Sequence, residues 1–172
     1  MEGEVIYWSI FSDKKWSMYI AATKDGLSYI GTPNAEFEEL EKWAKKRLPK
    51  YTLVEDASKL SPYTSELIEY LNGDCIEFTL KMDLHGTPFQ QSVWKALQEI
   101  PYGQTVSYTD IANRIGKPKS VRAVGTAIGA NPVLMSVPCH RVIAKSGALT
   151  GFRAGLNMKE QLLELEKVNS SR

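Results

Sequence analysis

The chain of 172 residues contains only two cysteines and two histidines, and one of each stands together in Pro138-Cys139-His140-Arg141. A thiol is a strong nucleophile only as its thiolate, and a nearby imidazole, positive charge or helix N-terminus is what lowers its pKa. Cys139 has His140 beside it and Arg141 and Lys145 close behind, which is the make-up of a nucleophile with its base. Adjacency works against the pair, because consecutive side chains of a straight strand point to opposite faces. The chain must therefore turn at Pro138, or a water must bridge the two. Such a base is normally oriented by a third group. The carboxylates nearest on the C-terminal side are Glu160, Glu164 and Glu166, and spacing does not choose among them. The bland alternative is a buried, inert thiol. Cys75 is expected to be such a structural thiol. Cys75, His85, Cys139 and His140 show none of the paired spacings of zinc sites, so no metal is expected and no cofactor is implied.

The surroundings of the dipeptide are basic. Residues 1–85 carry 10 Lys and Arg against 15 Asp and Glu, whereas residues 86–172 carry 11 against 5, so a net charge of +1 conceals halves of −5 and +6. From Ile111 to Lys159 there is no acid but eight bases: Arg114, Lys117, Lys119, Arg122, Arg141, Lys145, Arg153 and Lys159. Any carboxylate near a phosphate backbone would repel it, so an acid-free basic segment suits a polyanion-facing surface. The rest of the composition is that of an ordinary globular protein, 43% hydrophobic and 24% charged. The first sixteen residues do not read as a signal peptide, no run approaches membrane-spanning length, and two cysteines suit a reducing cytosol. A cytoplasmic location is expected, or a nuclear one in a eukaryote.

Two domains are expected, 1–85 and 86–172. In the first, "EVIYWSIF" and "WSMYIAAT" read as strands, and an Asp-Gly turn leads to a third. A helix from Asn34 has a stripe of Phe37, Leu40, Trp43 or Ala44, and Leu48. "SPYTSELIEYLNG" reads as a helix with Pro62 in its first turn, and "CIEFTLKMDL" as a closing strand. This is a small α/β domain with an antiparallel sheet. In the second, "TPFQQSVWKALQEI" is an amphipathic helix. "SYTDIANRIG" is a short helix with Ser107 and Asp110 at capping-box spacing, and "SVRAVGTAIGANP" follows it after a tight break. That is a helix-turn-helix, whose second helix normally meets DNA. Its residues are small apart from Arg122, however: Ala123, Gly125, Thr126, Ala127, Gly129 and Ala130. They suit close backbone approach to a minor groove with Arg122 as the one projecting probe, or close packing on another helix. "VLMSV" reads as a buried strand, "VIAKSGALTGFRAG" as a hairpin or wing, and "NMKEQLLELEKV" as a closing helix.

Taken together, "VSYTDIA", "VRAVGTAIG", "GANPV", "PCHRVI" and "SGALTGFRAG", in this order and spacing from about Gly86 to Lys167, resemble the O6-alkylguanine-DNA alkyltransferases. The resemblance implies a ribonuclease-H-like N-terminal domain and a mostly helical, winged-helix-like C-terminal domain. It also implies repair of O6-alkylguanine, and less well O4-alkylthymine, by single-turnover transfer of the alkyl group to Cys139 after the damaged nucleotide leaves the stack. His140 then corresponds to the base that deprotonates the thiol through a water, Glu166 to the carboxylate that orients it, and Asn131 to the hinge between recognition helix and active-site strand. Arg122 corresponds to the arginine that replaces the extruded base, and Tyr108 to the tyrosine that aids extrusion and bonds the guanine. Lys119, Ala123, Gly125, Thr126 and Ala127 fall on the implied DNA-facing surface, and Val142, Thr150, Phe152 and Arg153 join Tyr108 at the implied pocket. Phe152 replaces a tyrosine of many relatives and Thr150 a glycine, so bulky O6 substituents are expected to react more slowly than methyl. The implied partner is double-stranded DNA, bound by a monomer, with cooperativity between copies left open. The rival readings are a winged-helix lesion-binding or regulatory protein that transfers nothing, and a Cys-His hydrolase.

Overall fold

The computed structural model describes residues 4–149 and 154–170, and the chain divides into two compact units, Met1–Gly86 and Thr87–Arg172.

In the first unit, β1 (Val5–Ser12), β2 (Ser17–Thr23) and β3 (Gly26–Ile30) form an antiparallel meander. The turn between β1 and β2 is held by Asp13, whose Oδ1 accepts from the backbone N–H groups of Lys15 and Trp16. Helix α1 (Phe37–Arg47) follows, then β4 (Thr52–Glu55), which pairs parallel to β1 and gives the order β3-β2-β1-β4. The sheet is therefore mixed, not purely antiparallel. Leu40 and Ala44 of α1, with Leu48 just beyond it, pack on Ile6, Ala21 and Tyr29, which is the stripe the helical period predicts.

Local details depart from expectation. Asn34 does not cap α1. It sits at φ 61, its N–H donates to Ser17 O, and the helix starts after Glu36. Helix α2 (Ala57–Leu71) opens one turn early, because the Asp56 side chain caps it by accepting from Ser58 and Lys59, so Pro62 lies inside the helix. The segment 75–84 is not a strand. The Glu66 carboxylate on α2 takes the N–H groups of Thr79 and Leu80, and only a single parallel bridge, Leu27 to Met82, reaches β3. A Cβ at Gly26 would stand 2.6 Å from Lys81 O, so glycine is what lets this segment approach. The Cys75 thiol donates to Glu77 O.

The second unit begins with α3 (Pro88–Gln98). Thr87 and Gln90 form a capping box at its start, and Val93, Trp94, Ala96 and Leu97 are buried along it. A two-residue strand β5 (Val106–Ser107) leads into α4 (Tyr108–Arg114), opened by the Ser107–Asp110 capping box, and then α5 (Val121–Gly129). The Trp94 indole N–H donates to Ala127 O at 2.9 Å and fastens α3 to α5. A buried segment, 131–138, runs into a one-turn 3-10 helix, Cys139–Arg141. Strand β6 (Val142–Ile143) pairs parallel with β5, and α6 (Leu156–Ser170) ends the described chain. "VLMSV" is buried as expected but is no strand. Met135 adopts φ 70 and the Val137 N–H returns to Val133 O, so the segment coils on itself. Among the described residues no helix is long and apolar enough to cross a membrane.

Candidate active site

The chain turns at Pro138 into the 3-10 helix, which rotates about 120° per residue, so Cys139 and His140 do not point to opposite faces as they would in a straight strand. The turn is held from upstream. The Asn131 side chain accepts from the Val133 N–H and donates to Val137 O, and the same Val137 carbonyl accepts the Cys139 N–H at 2.8 Å. Asn131 in turn donates its backbone N–H to Ile128 O at the end of α5. One amide thus joins the end of α5 to the backbone of the cysteine. Cys139 is 3% exposed and His140 fully buried.

Of the three candidate carboxylates, Glu160 and Glu164 are exposed, whereas Glu166 is 1% exposed. His140 Nε2 lies 2.6 Å from Glu166 Oε2. Arg141 donates through Nε to Oε1 at 2.8 Å and through Nη2 to Oε2 at 3.0 Å, and the Gly103 N–H also reaches Oε1. Burial opposes ionisation of Glu166, but the hydrogen bonds and charges of His140 and Arg141 prevail and hold its pKa at about 2. A carboxylate can only accept, so His140 Nε2 carries the hydrogen and Nδ1 is the nitrogen with a lone pair for a proton. Burial pushes the His140 pKa down; Glu166 opposes this, and the charges of Arg141 and Lys159 reinforce it. The ring is therefore held neutral, which is the state a base requires.

Lys159 is fully buried and donates to Val142 O at 2.6 Å. Burial pushes its pKa down, while a negative charge on Cys139 pulls it back up. The interaction is reciprocal, so an ammonium at Lys159 stabilises the Cys139 thiolate.

The helix pair presents a different surface. Arg122, Ala123 and Thr126 are exposed on α5, as is Lys119 in the turn before it. Tyr108 opens α4 half-buried, and a Cβ at Gly125 would stand 3.8 Å from its ring, so the missing side chain leaves the ring uncovered there. Ala127 departs from expectation. It is buried against the Trp94 side, its carbonyl taken by the indole, and cannot face a ligand. Val142 is also fully buried. Thr150, Phe152 and Arg153 lie outside the described residues.

Residues 88–168 match the family model of the 6-O-methylguanine DNA methyltransferase DNA-binding domain, and residues 6–84 match that family's ribonuclease-like domain. The chain belongs to the O6-methylguanine-DNA methyltransferase family. It is 57% identical to the inducible methylated-DNA–protein-cysteine methyltransferase of Bacillus subtilis over 96% of this chain and 93% of that one. It is 40% identical to the corresponding protein of Methanosarcina acetivorans over 94% and 98% of the two chains. The crystal structure of Mycobacterium tuberculosis O6-methylguanine methyltransferase superposes with a TM-score of 0.81 at 39% identity, covering 95% of this chain and 94% of that one. A structure of the mycobacterial protein in complex with DNA superposes at 0.76 and 37% identity, over 96% and 94%.

In this methyltransferase the sequence misplaces two bases. Arg141 and Lys159 belong to the acid-free basic segment, yet both are buried inside the site. The exposed bases of the segment are Arg114, Lys117, Lys119, Arg122 and Lys145 among the described residues. A signal for Lys159 was present: Lys159, Leu162 and Glu166 recur at helical spacing, and all three are buried on α6.

Proposed function

We propose that this member of the family repairs O6-alkylguanine, and less well O4-alkylthymine, in duplex DNA by a single transfer of the alkyl group to Cys139. The observation that carries this reading is the buried Cys139-His140 turn, its ring held neutral by burial and oriented by Glu166, which Arg141 fixes in turn. The thiol proton passes through a water to His140 Nδ1, and Lys159 stabilises the thiolate that remains. The sulfur lone pair forms a bond to the saturated carbon while the carbon–O6 bond breaks. Its electrons leave with the guanine, whose ring takes up a proton. The thioether formed has no hydrolysable acyl bond, so each protein acts once.

The target carbon is hidden inside the duplex, so the nucleotide must be extruded first. Arg122 projects from the exposed side of α5, where it can fill the vacancy, and the small exposed residues Ala123 and Thr126 permit close approach to the groove. Tyr108, half-buried at the start of α4, supports extrusion. Lys119 meets the phosphate backbone, and Asn131 couples the end of α5 to the cysteine. The protein acts as a monomer on DNA.

Replacement of Cys139 by Ser tests the reading. Repair of an O6-methylguanine duplex is expected to vanish while binding to the lesion survives. Unchanged loss of methyl from the DNA would place the nucleophile elsewhere, and a protein that never removes methyl in the wild type would be a lesion-binding regulator.

A further inference from the structure

We propose that Arg141 is a positioning residue for alkyl transfer: one guanidinium fixes the carboxylate that holds the His140 base and fastens both to the turn that leads into the DNA-reading helices. The inference rests on the alkyl-transfer reading above and adds a residue to it.

Each nitrogen of the guanidinium donates a hydrogen bond. Nε and Nη2 form a two-pronged contact with the two oxygens of Glu166, and Nη1 donates to Ile100 O at 2.7 Å. The guanidinium carbon lies 5.5 Å from the centre of the Tyr102 ring. Glu166 reaches the same turn from α6, accepting the Gly103 N–H. Gly103 has φ 79, and a Cβ there would stand 2.8 Å from the Ser170 side chain, so the turn lies hard against α6 where only glycine fits. Residues 100–103 are thus gripped between Arg141 and α6. Three residues later the chain pairs again with the active-site segment, Val106 with Val142 and Ser107 with Ile143, and then begins α4 at Tyr108. Two fastenings, the guanidinium and the β5–β6 pair, therefore fix the start of α4 relative to Cys139. A lysine in place of Arg141 keeps the charge but offers a single point, and cannot span two carboxylate oxygens and a carbonyl together.

Charge and geometry have separable consequences. The charged groups that act on His140 are Glu166 and Lys159 from α6 and Arg141 from its own turn. Arg141 and Lys159 disfavour the imidazolium and Glu166 favours it. Removal of the positive charge at 141 makes Glu166 more basic and His140 easier to protonate, so the acid limb of a reaction that needs neutral His140 moves to higher pH. Loss of the fork alone leaves that limb in place but releases the carboxylate and the turn.

The test is single-turnover methyl transfer from an O6-methylguanine duplex, followed from pH 5 to pH 9, for wild type, Arg141→Lys and Arg141→Met, with folding checked by circular dichroism. The expected result for Arg141→Lys is a transfer rate lower by about tenfold or more with the acid limb where the wild type has it. For Arg141→Met it is a lower rate together with an acid limb displaced to higher pH. A folded Arg141→Lys protein that transfers at the wild-type rate would overturn the proposal. So would an Arg141→Met protein whose pH profile keeps the wild-type shape. Should Arg141→Met not fold, Arg141→Lys decides the matter. Absence of transfer by the wild type is a different result and refutes the alkyl-transfer reading itself.

Discussion

Glu166→Gln isolates the charge on which the site is built. The carboxylate accepts from His140, twice from Arg141 and once from Gly103. The amide keeps the shape but turns one acceptor into a donor and leaves a buried guanidinium without its counter-charge. Two estimates of the cost agree. A carboxylate held at a pKa of about 2 against an ordinary 4.5 contributes about 3 kcal/mol at neutral pH, and breaking one partner of a buried ion pair costs about 3–5 kcal/mol. The pH dependence has a definite sign. The folded-state pKa lies below the unfolded one, so this stability is fully present above pH 4.5 and is lost as pH falls toward 2. The assay is urea unfolding of the full chain, followed by circular dichroism at each pH. The variant is expected to be about 3 kcal/mol less stable at pH 7, with the gap closing in acid. Equal stabilities at pH 7, or a gap that ignores pH, would refute the reasoning.

Lys159→Met removes the ammonium that stabilises the thiolate, so methyl transfer at pH 7 should slow by about tenfold and recover as pH is raised; a uniform loss at all pH values in a rate–pH profile would contradict it. Asn131→Ala leaves the Val133 N–H and one acceptor site of Val137 O unsatisfied in a buried segment, and should cost about 2–4 kcal/mol, measured by urea unfolding. Arg122→Ala touches only an exposed side chain, so stability should be unchanged while repair of duplex substrate slows more than duplex affinity falls. The check is single-turnover repair of duplex against single-stranded substrate, where the loss should appear on the duplex.

The parts of the fold legible in the sequence are those fixed by neighbours in the chain. The capping pair Ser107–Asp110 and the stripe on α1 depend on spacings of three or four residues. Features fixed by distant partners were hidden. β4 is four residues long and is a strand only because it lies parallel to β1, whereas 75–84 has strand-like alternation but loses its ladder to Glu66 of α2. At the site, the cysteine and histidine are visible as types, but their approach depends on a 3-10 turn that a strand reading of "VLMSV" could not supply. Charge pattern records identity and not exposure, which is why Arg141 and Lys159 read as surface bases. Glu166 is set apart from Glu160 and Glu164 by its burial and its contact with His140, and only the fold decides which face of α6 is inside.

The central claim is that Cys139 takes up one alkyl group from DNA and keeps it. Its most direct test is the intact mass of the protein after incubation with a duplex carrying one O6-methylguanine, followed by peptide mapping. A gain of a single methyl group on the peptide that contains Cys139, saturating at one per protein, is the predicted result. An unchanged mass with the lesion still bound, or a methyl group on another peptide, would contradict it.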